Sequence, residues 1–191
     1  GAPVRDTLSP DLRLTRDVPS GTAFATVFAD NTEDGTRTGF SLGRSLDRPD
    51  GGFTFNLGVT RSIYGDLNLT GAVDWQRELP NGGITFRLSR DVISGSEDEE
   101  EIVYGGALGL SRDLSALASL NFGLSASESE ETATGNLTRN ASVSATYSRS
   151  IVNDWVLDAG LTHRLREESG QDQAASDTAF LALRRSFEWR P

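Results

Sequence analysis

Phe53-Thr54-Phe55-Asn56-Leu57-Gly58-Val59 and, shortly after it, Leu67-Asn68-Leu69-Thr70-Gly71-Ala72-Val73-Asp74-Trp75 alternate with a period of two residues. Successive side chains on a β-strand point to opposite faces, so each stretch has one apolar face and one that is small or polar. The pattern returns at Tyr104, Gly106, Leu108 and Leu110; at Ala118, Leu120, Phe122, Leu124 and Ala126; and at Ala141, Val143, Ala145 and Tyr147. It recurs again at Trp155, Leu157, Ala159 and Leu161, and at Leu181, Leu183, Arg185, Phe187 and Trp189. Gly, Asp, Asn and Pro punctuate the runs, as turns between strands require. Helical spacing finds almost no support.

Reading outward from those stretches gives ten strands. They run near Thr22 to Asp30, Thr36 to Asp47, Phe53 to Ile63, Leu67 to Glu78, Gly83 to Ser94, Ile102 to Leu114, Ala116 to Ser127, Leu137 to Ile151, Trp155 to Glu167 and Asp177 to Trp189. Residues 1–20 read as a lead-in or a further strand through Leu12 and Leu14, so twelve strands is the alternative count. Residues 21–191 form one unit. An internal echo supports the division: Pro49-Asp50-Gly51-Gly52-Phe53-Thr54-Phe55 returns as Pro80-Asn81-Gly82-Gly83-Ile84-Thr85-Phe86. A second recurrence, apolar-x-Arg-Ser/Asp-apolar, lies at Leu42 to Leu46, Leu88 to Val92, Leu110 to Leu114, Tyr147 to Ile151 and Leu183 to Phe187, with a relative at Thr60 to Ile63. Most copies fall at strand ends on one side, but Leu88 to Val92 and Thr60 to Ile63 fall on the other.

Mean hydropathy is -0.36 and apolar residues make up 36% of the 191, values typical of a polar soluble chain. That balance does not exclude a membrane strand, which needs only about ten residues with every second one facing lipid. No run is long enough for a membrane helix. There is no Cys, no Met and no Lys, so all 18 basic residues are Arg. Without Cys there is neither a thiolate metal site nor a Cys nucleophile, and no metal or other cofactor is expected. The start Gly1-Ala2-Pro3 is what removal of an export signal would leave. A net charge of -10 argues against nucleic acid, whose phosphates need a basic face.

The connections have two lengths. Asp47 to Gly52, Leu79 to Gly82, Ser115 and Val152 to Asp154 are tight, whereas Ser94 to Glu101, Ser129 to Gly135 and Glu168 to Ser176 are longer and acidic. Short periplasmic turns and longer outer loops are the rule for outer-membrane barrels, which puts the acidic loops outside. Over about Gly21 to Pro191 the chain resembles the bacterial outer-membrane β-barrel proteins as a class. The terminal alternation of Leu181, Leu183, Phe187 and Trp189 resembles the signal read by the barrel-assembly machinery, although Arg185 interrupts it and Arg190-Pro191 follow it. The resemblance implies an all-β, up-and-down antiparallel transmembrane β-barrel, exported to the outer membrane. Its partners would be outer-membrane lipid and lipopolysaccharide, and a larger envelope complex is compatible with it.

Charged residues of lumen parity are Asp74, Arg87, Asp158, Arg164, Arg166 and Arg184. The bland reading is that they pair with one another and fill a narrow interior; the sharper one is a narrow pore, favouring anions because four of the six are cationic. Trp75, Tyr104, Tyr147, Trp155, Phe187 and Trp189 sit near strand ends and read as interfacial anchors. His163, the single histidine, falls on the lipid side near the outer rim. Lipid-modifying barrels use such a residue, but position 165 is Leu and no neighbouring Ser is assured. The run Glu97-Asp98-Glu99-Glu100-Glu101 reads as a solvated loop, with divalent-cation bridging to lipopolysaccharide phosphates as its rival. The expectation is thus a non-enzymatic barrel with an anchoring or accessory-subunit role. A narrow channel is the alternative, and a lipid-modifying enzyme comes third.

Overall fold

The computed structural model describes residues 8–32, 35–94, 100–151 and 155–185. These residues form one sheet of eleven strands and no helix: β1 (Asp11–Val18), β2 (Gly21–Thr32), β3 (Gly35–Arg48), β4 (Gly51–Arg61), β5 (Leu67–Leu79), β6 (Gly82–Ser94), β7 (Glu100–Ser115), β8 (Ala118–Glu131), β9 (Leu137–Ser150), β10 (Trp155–Glu168) and β11 (Ala174–Arg185). Each strand pairs with its neighbours in sequence, and every pairing is antiparallel. The up-and-down order is therefore as expected, while the count is neither ten nor twelve. The added strand is β1, which occupies the segment read as a lead-in. An odd count puts the start of β1 and the end of β11 on opposite rims, and the two strands run in the same direction.

One rim carries the two-residue connections 19–20, 49–50, 80–81 and 116–117, together with 151–154. The other carries the five-residue connections 62–66, 95–99, 132–136 and 169–173, with 33–34 an exception. These last are shorter than the sequence suggests, because β7 and β8 extend through acidic residues and β11 starts at Ala174. We call the two the short-turn rim and the long-turn rim. At the short-turn rim Pro19, Pro49 and Pro80 each stand two residues before a glycine, Gly21 (φ 139°), Gly51 (φ 147°) and Gly82 (φ 137°). A Cβ on Gly51 would lie 2.1 Å from the Gln76 carbonyl oxygen, and on Gly82 2.0 Å from that of Ser111. Glycine is thus required both by backbone angle and by the strand that follows.

The register places one polar row across the whole sheet: Asp17, Thr22, Ser45, Thr54, Asp74, Arg87, Ala107, Ser125, Ser142, Arg164 and Ser176 are successive partners. It starts one residue from the short-turn end of β1 and finishes two residues into β11 from the long-turn end. This steady climb is the stagger of tilted strands. Displaced by three residues, the apolar row Leu14, Ala25, Leu42, Leu57 and Gly71 runs through the first five strands.

Most of the large apolar side chains are exposed on one face of this sheet. Leu42 is 54% exposed, Leu57 59%, Leu161 64% and Leu181 74%, whereas Val92 is the one buried hydrophobic residue among the described residues. The accessible surface is 13289 Å², against about 8,900 Å² for a water-soluble monomer of this mass. No second sheet covers the apolar face among the described residues, so a sandwich core does not exist there.

Candidate functional site: the polar face and its rims

All six charged residues expected on the inner side share the polar face. Asp74 and Arg87 stand directly opposite each other on β5 and β6 and form an ion pair. Arg184 places Nε 2.6 Å from Oδ2 of Asp158, and the Ser148 hydroxyl donates to the other oxygen at 2.7 Å. Asp158 is 6% exposed. Arg166 pairs with Glu168 two residues along the same strand. Arg164 has no ion pair among the described residues; it faces Ser142 and Ser176. Opposite partners on antiparallel strands lie close enough for such pairing without backbone adjustment.

The polar face also holds charges that parity arguments did not single out. Arg37 donates through Nε and Nη2 to Asp30 Oδ2, at 3.2 and 2.6 Å, near the long-turn rim. Asp17, Asp47, Glu78 and Asp113 line the short-turn end of the same face, all exposed. The row between is largely Ser, Thr, Gly and Ala. Small side chains leave two recesses, one of about 470 Å³ bordered by Ser45, Thr54, Asp74, Thr85 and Arg87. The other, about 530 Å³, is bordered by Ser125, Ser142, Arg164, Arg166 and Ser176.

The aromatic set lies on the apolar face where it is described. Trp75 sits between Phe53 and Phe86 of the flanking strands. Tyr147 and Trp155 are toward the short-turn rim, Trp155 beneath the Arg185 guanidinium at 5.7 Å. Tyr104 is toward the long-turn rim, under Arg90 at 5.2 Å. Phe187 and Trp189 lie outside the described residues. Arg90 and Arg61 confirm that two copies of the Arg motif end at the long-turn rim, so no extra strands are needed to explain them.

His163 faces Asp177 directly, with Nδ1 2.6 Å from Oδ1, on the apolar face near the long-turn rim. Its other same-face neighbours are Val143, directly opposite on β9, and Ala141, Ala145, Leu161, Leu165, Ala175 and Ala179, none of which carries a nucleophile. The partner is Asp177 on the next strand, a contact invisible to a search along the chain. At the same rim Glu100, 2% exposed, accepts from the Ile63 amide at 3.0 Å while its own carbonyl accepts from the Thr132 amide at 2.8 Å. This ties the connections 62–66 and 132–136 to the start of β7. Glu97, Asp98 and Glu99 lie outside the described residues.

Among the described residues no helix is long and apolar enough to cross a membrane. No family model matches the chain, and no curated protein does. One solved structure, described as "Unveiling the Mechanism Behind the in-meso Crystallization of Membrane Proteins", is similar over 96% of this chain and 80% of its own, at 13% identity and a TM-score of 0.39. A likeness of that level carries no argument about function.

Proposed function

We propose that the sheet closes into a transmembrane β-barrel of the bacterial outer membrane, with an anchoring or accessory-subunit role in the envelope. One observation carries this reading: a continuous face of large apolar side chains is exposed while its polar counterpart lies on the other side of a single staggered sheet. In water such a face has no partner; in a bilayer it has hydrocarbon. Closure is required because hydrocarbon offers no hydrogen bonds to the free edges of β1 and β11. The short-turn rim then faces the periplasm. The structural role is supported by the polar-face pairs Asp30 with Arg37, Asp74 with Arg87 and Asp158 with Arg184, which commit half of that face's described arginines to neighbours.

Expression with an export signal and extraction of the envelope fraction tests it. The chain should stay in the membrane pellet until detergent is added, and should migrate differently on gels before and after heating. Release into water as a folded monomer would sink it.

A second reading is a narrow channel, favoured by the two recesses. The acids Asp17, Asp47, Glu78 and Asp113 at one mouth shift the preference expected from the six central charges, from anions toward cations. Planar-bilayer recordings should then give a cation-selective reversal potential, and a silent bilayer would remove the channel.

A further inference from the structure

We infer that the short-turn rim carries an outward-facing belt of arginines that seats the phosphates of anionic phospholipids in the adjacent leaflet. The inference rests on the barrel reading above and adds a ligand class to one of its rims. Every odd-numbered strand ends with the same arrangement on the apolar face. It is Leu14-Thr15-Arg16-Asp17-Val18 on β1, Leu42-Gly43-Arg44-Ser45-Leu46 on β3 and Trp75-Gln76-Arg77-Glu78-Leu79 on β5. It continues as Leu110-Ser111-Arg112-Asp113-Leu114 on β7, Tyr147-Ser148-Arg149-Ser150-Ile151 on β9 and Leu183-Arg184-Arg185 on β11. Arg48 extends the copy on β3. Two of these copies, on β1 and β5, become visible once the register is known.

The pleat sorts each motif by charge. On β1, β3, β5, β7 and β9 the arginine shares a face with the apolar residues two before and two after it, while the acid or serine between points to the polar face. All seven arginines are exposed, and no strand places a carboxylate beside them on that face at this rim. Arg77 reaches Asp50 of the adjoining turn at 3.2 Å, and Arg44 reaches the Pro19 carbonyl at 3.4 Å. Arg16, Arg48, Arg112 and Arg149 have no ion pair among the described residues.

The opposite rim is arranged differently. There one apolar-face arginine, Arg139, lies 2.6 Å from Glu128 and 4.0 Å from Glu167, and His163 meets Asp177. At the long-turn rim Arg139 and His163 thus meet carboxylates of neighbouring strands, while Arg90 lies over Tyr104 and Arg61 has no ion pair among the described residues; at the short-turn rim Arg16, Arg48, Arg112 and Arg149 meet no carboxylate there.

A guanidinium flanked on its own face by Leu114 (54% exposed) or Ile151 (47% exposed) stands level with apolar surface. The planar fork suits phosphate oxygens, and the long aliphatic stem lets the head rise from hydrocarbon to headgroup depth. Trp75, Tyr147 and Trp155 occupy the same zone, the level at which aromatic girdles mark the interface. At the periplasmic end the phosphates at that depth belong to phospholipid.

The test is reconstitution of the full chain into phosphatidylcholine vesicles with and without 30 mol% phosphatidylglycerol, roughly the scale at which surface charge matters. It compares the wild type with a variant carrying Arg16→Gln, Arg48→Gln, Arg112→Gln and Arg149→Gln. After mild-detergent extraction, native mass spectrometry counts retained lipids. The wild type should retain phosphatidylglycerol at least several-fold over phosphatidylcholine, inorganic phosphate should not displace it, and the variant should lose the preference while inserting equally well into phosphatidylcholine alone. No preference in the wild type, an unchanged preference in the variant, or displacement by inorganic phosphate would each overturn the belt. Failure of the wild type to insert into either vesicle would overturn the barrel reading itself, and the belt with it.

Discussion

Arg184 reaches diagonally across the β10–β11 pair to Asp158, and the relationship is unequal: the Arg184 side chain is 70% exposed and that of Asp158 9%. The arginine is dispensable to solvent; the carboxylate is not dispensable to the arginine's absence. Arg184→Ala should therefore strand a covered charge with only the Ser148 hydroxyl as donor. We expect the single variant to lower the urea midpoint of the folded protein more than the double variant Arg184→Ala with Asp158→Ala does. A double variant weaker than the single would show that the pair contributes outright rather than by relieving burial.

Leu57 is 59% exposed on the apolar face, and Asn56 is its neighbour on the polar one. On a water-facing surface Leu57→Arg would change stability by no more than about 0.5 kcal/mol. Facing hydrocarbon near mid-depth it should cost about 2–4 kcal/mol, with Asn56→Arg costing less. Equilibrium unfolding from vesicles measures both, and a neutral Leu57→Arg would contradict a lipid-facing position.

Gly51 and Gly170 both have positive φ, but they differ in what surrounds them. A Cβ at Gly51 meets the Gln76 carbonyl at 2.1 Å, whereas at Gly170 nothing lies within 4 Å. Backbone strain alone accounts for about 1–3 kcal/mol. Gly51→Ala should therefore exceed Gly170→Ala by a clear margin in unfolding free energy, because it also pushes β4 away from β5. Equal costs would mean that the turn relaxes freely.

Closure can be tested directly because the chain has no cysteine of its own. Leu14 and Leu181 lie four residues back from Val18 and Arg185, the last residues of β1 and β11 on the same rim. With cysteines at both positions, oxidation should give an intramolecular bridge, read as a gel shift at monomer mass. Bridged dimers alone would place a second copy at the seam instead.

Ten of the eleven strands were legible in the sequence because period-two alternation is local and fixes the face of every residue. β1 was less so: in Asp11-Leu12-Arg13-Leu14-Thr15-Arg16-Asp17-Val18 the apolar face itself carries Arg16, which weakens the contrast that marks a strand. The acidic connections looked long because charge resembles loop, yet Glu128 pairs across with Arg139, and Glu101 with Glu131, inside the ladder. Above the apolar belt a strand can continue with charged residues on both faces.

The candidate site was legible only by face. Parity placed Asp74, Arg87, Asp158, Arg164, Arg166 and Arg184 together, but partners depend on register between strands. That is why Asp30 with Arg37 and His163 with Asp177 emerge only when β2 is set against β3 and β10 against β11. The arginine belt was half visible for the same reason. Its recurrence could be read along the chain, whereas its common depth requires knowing which strands run the same way.

The strand count among the described residues, eleven, is odd, and in a bilayer that parity has a topological meaning. Asp11 and Arg185 would look into different compartments, so a domain joined ahead of β1 and another joined after β11 would be held apart by the thickness of the membrane. The fold would then work as a feed-through, with one attachment point in the periplasm and one outside the cell.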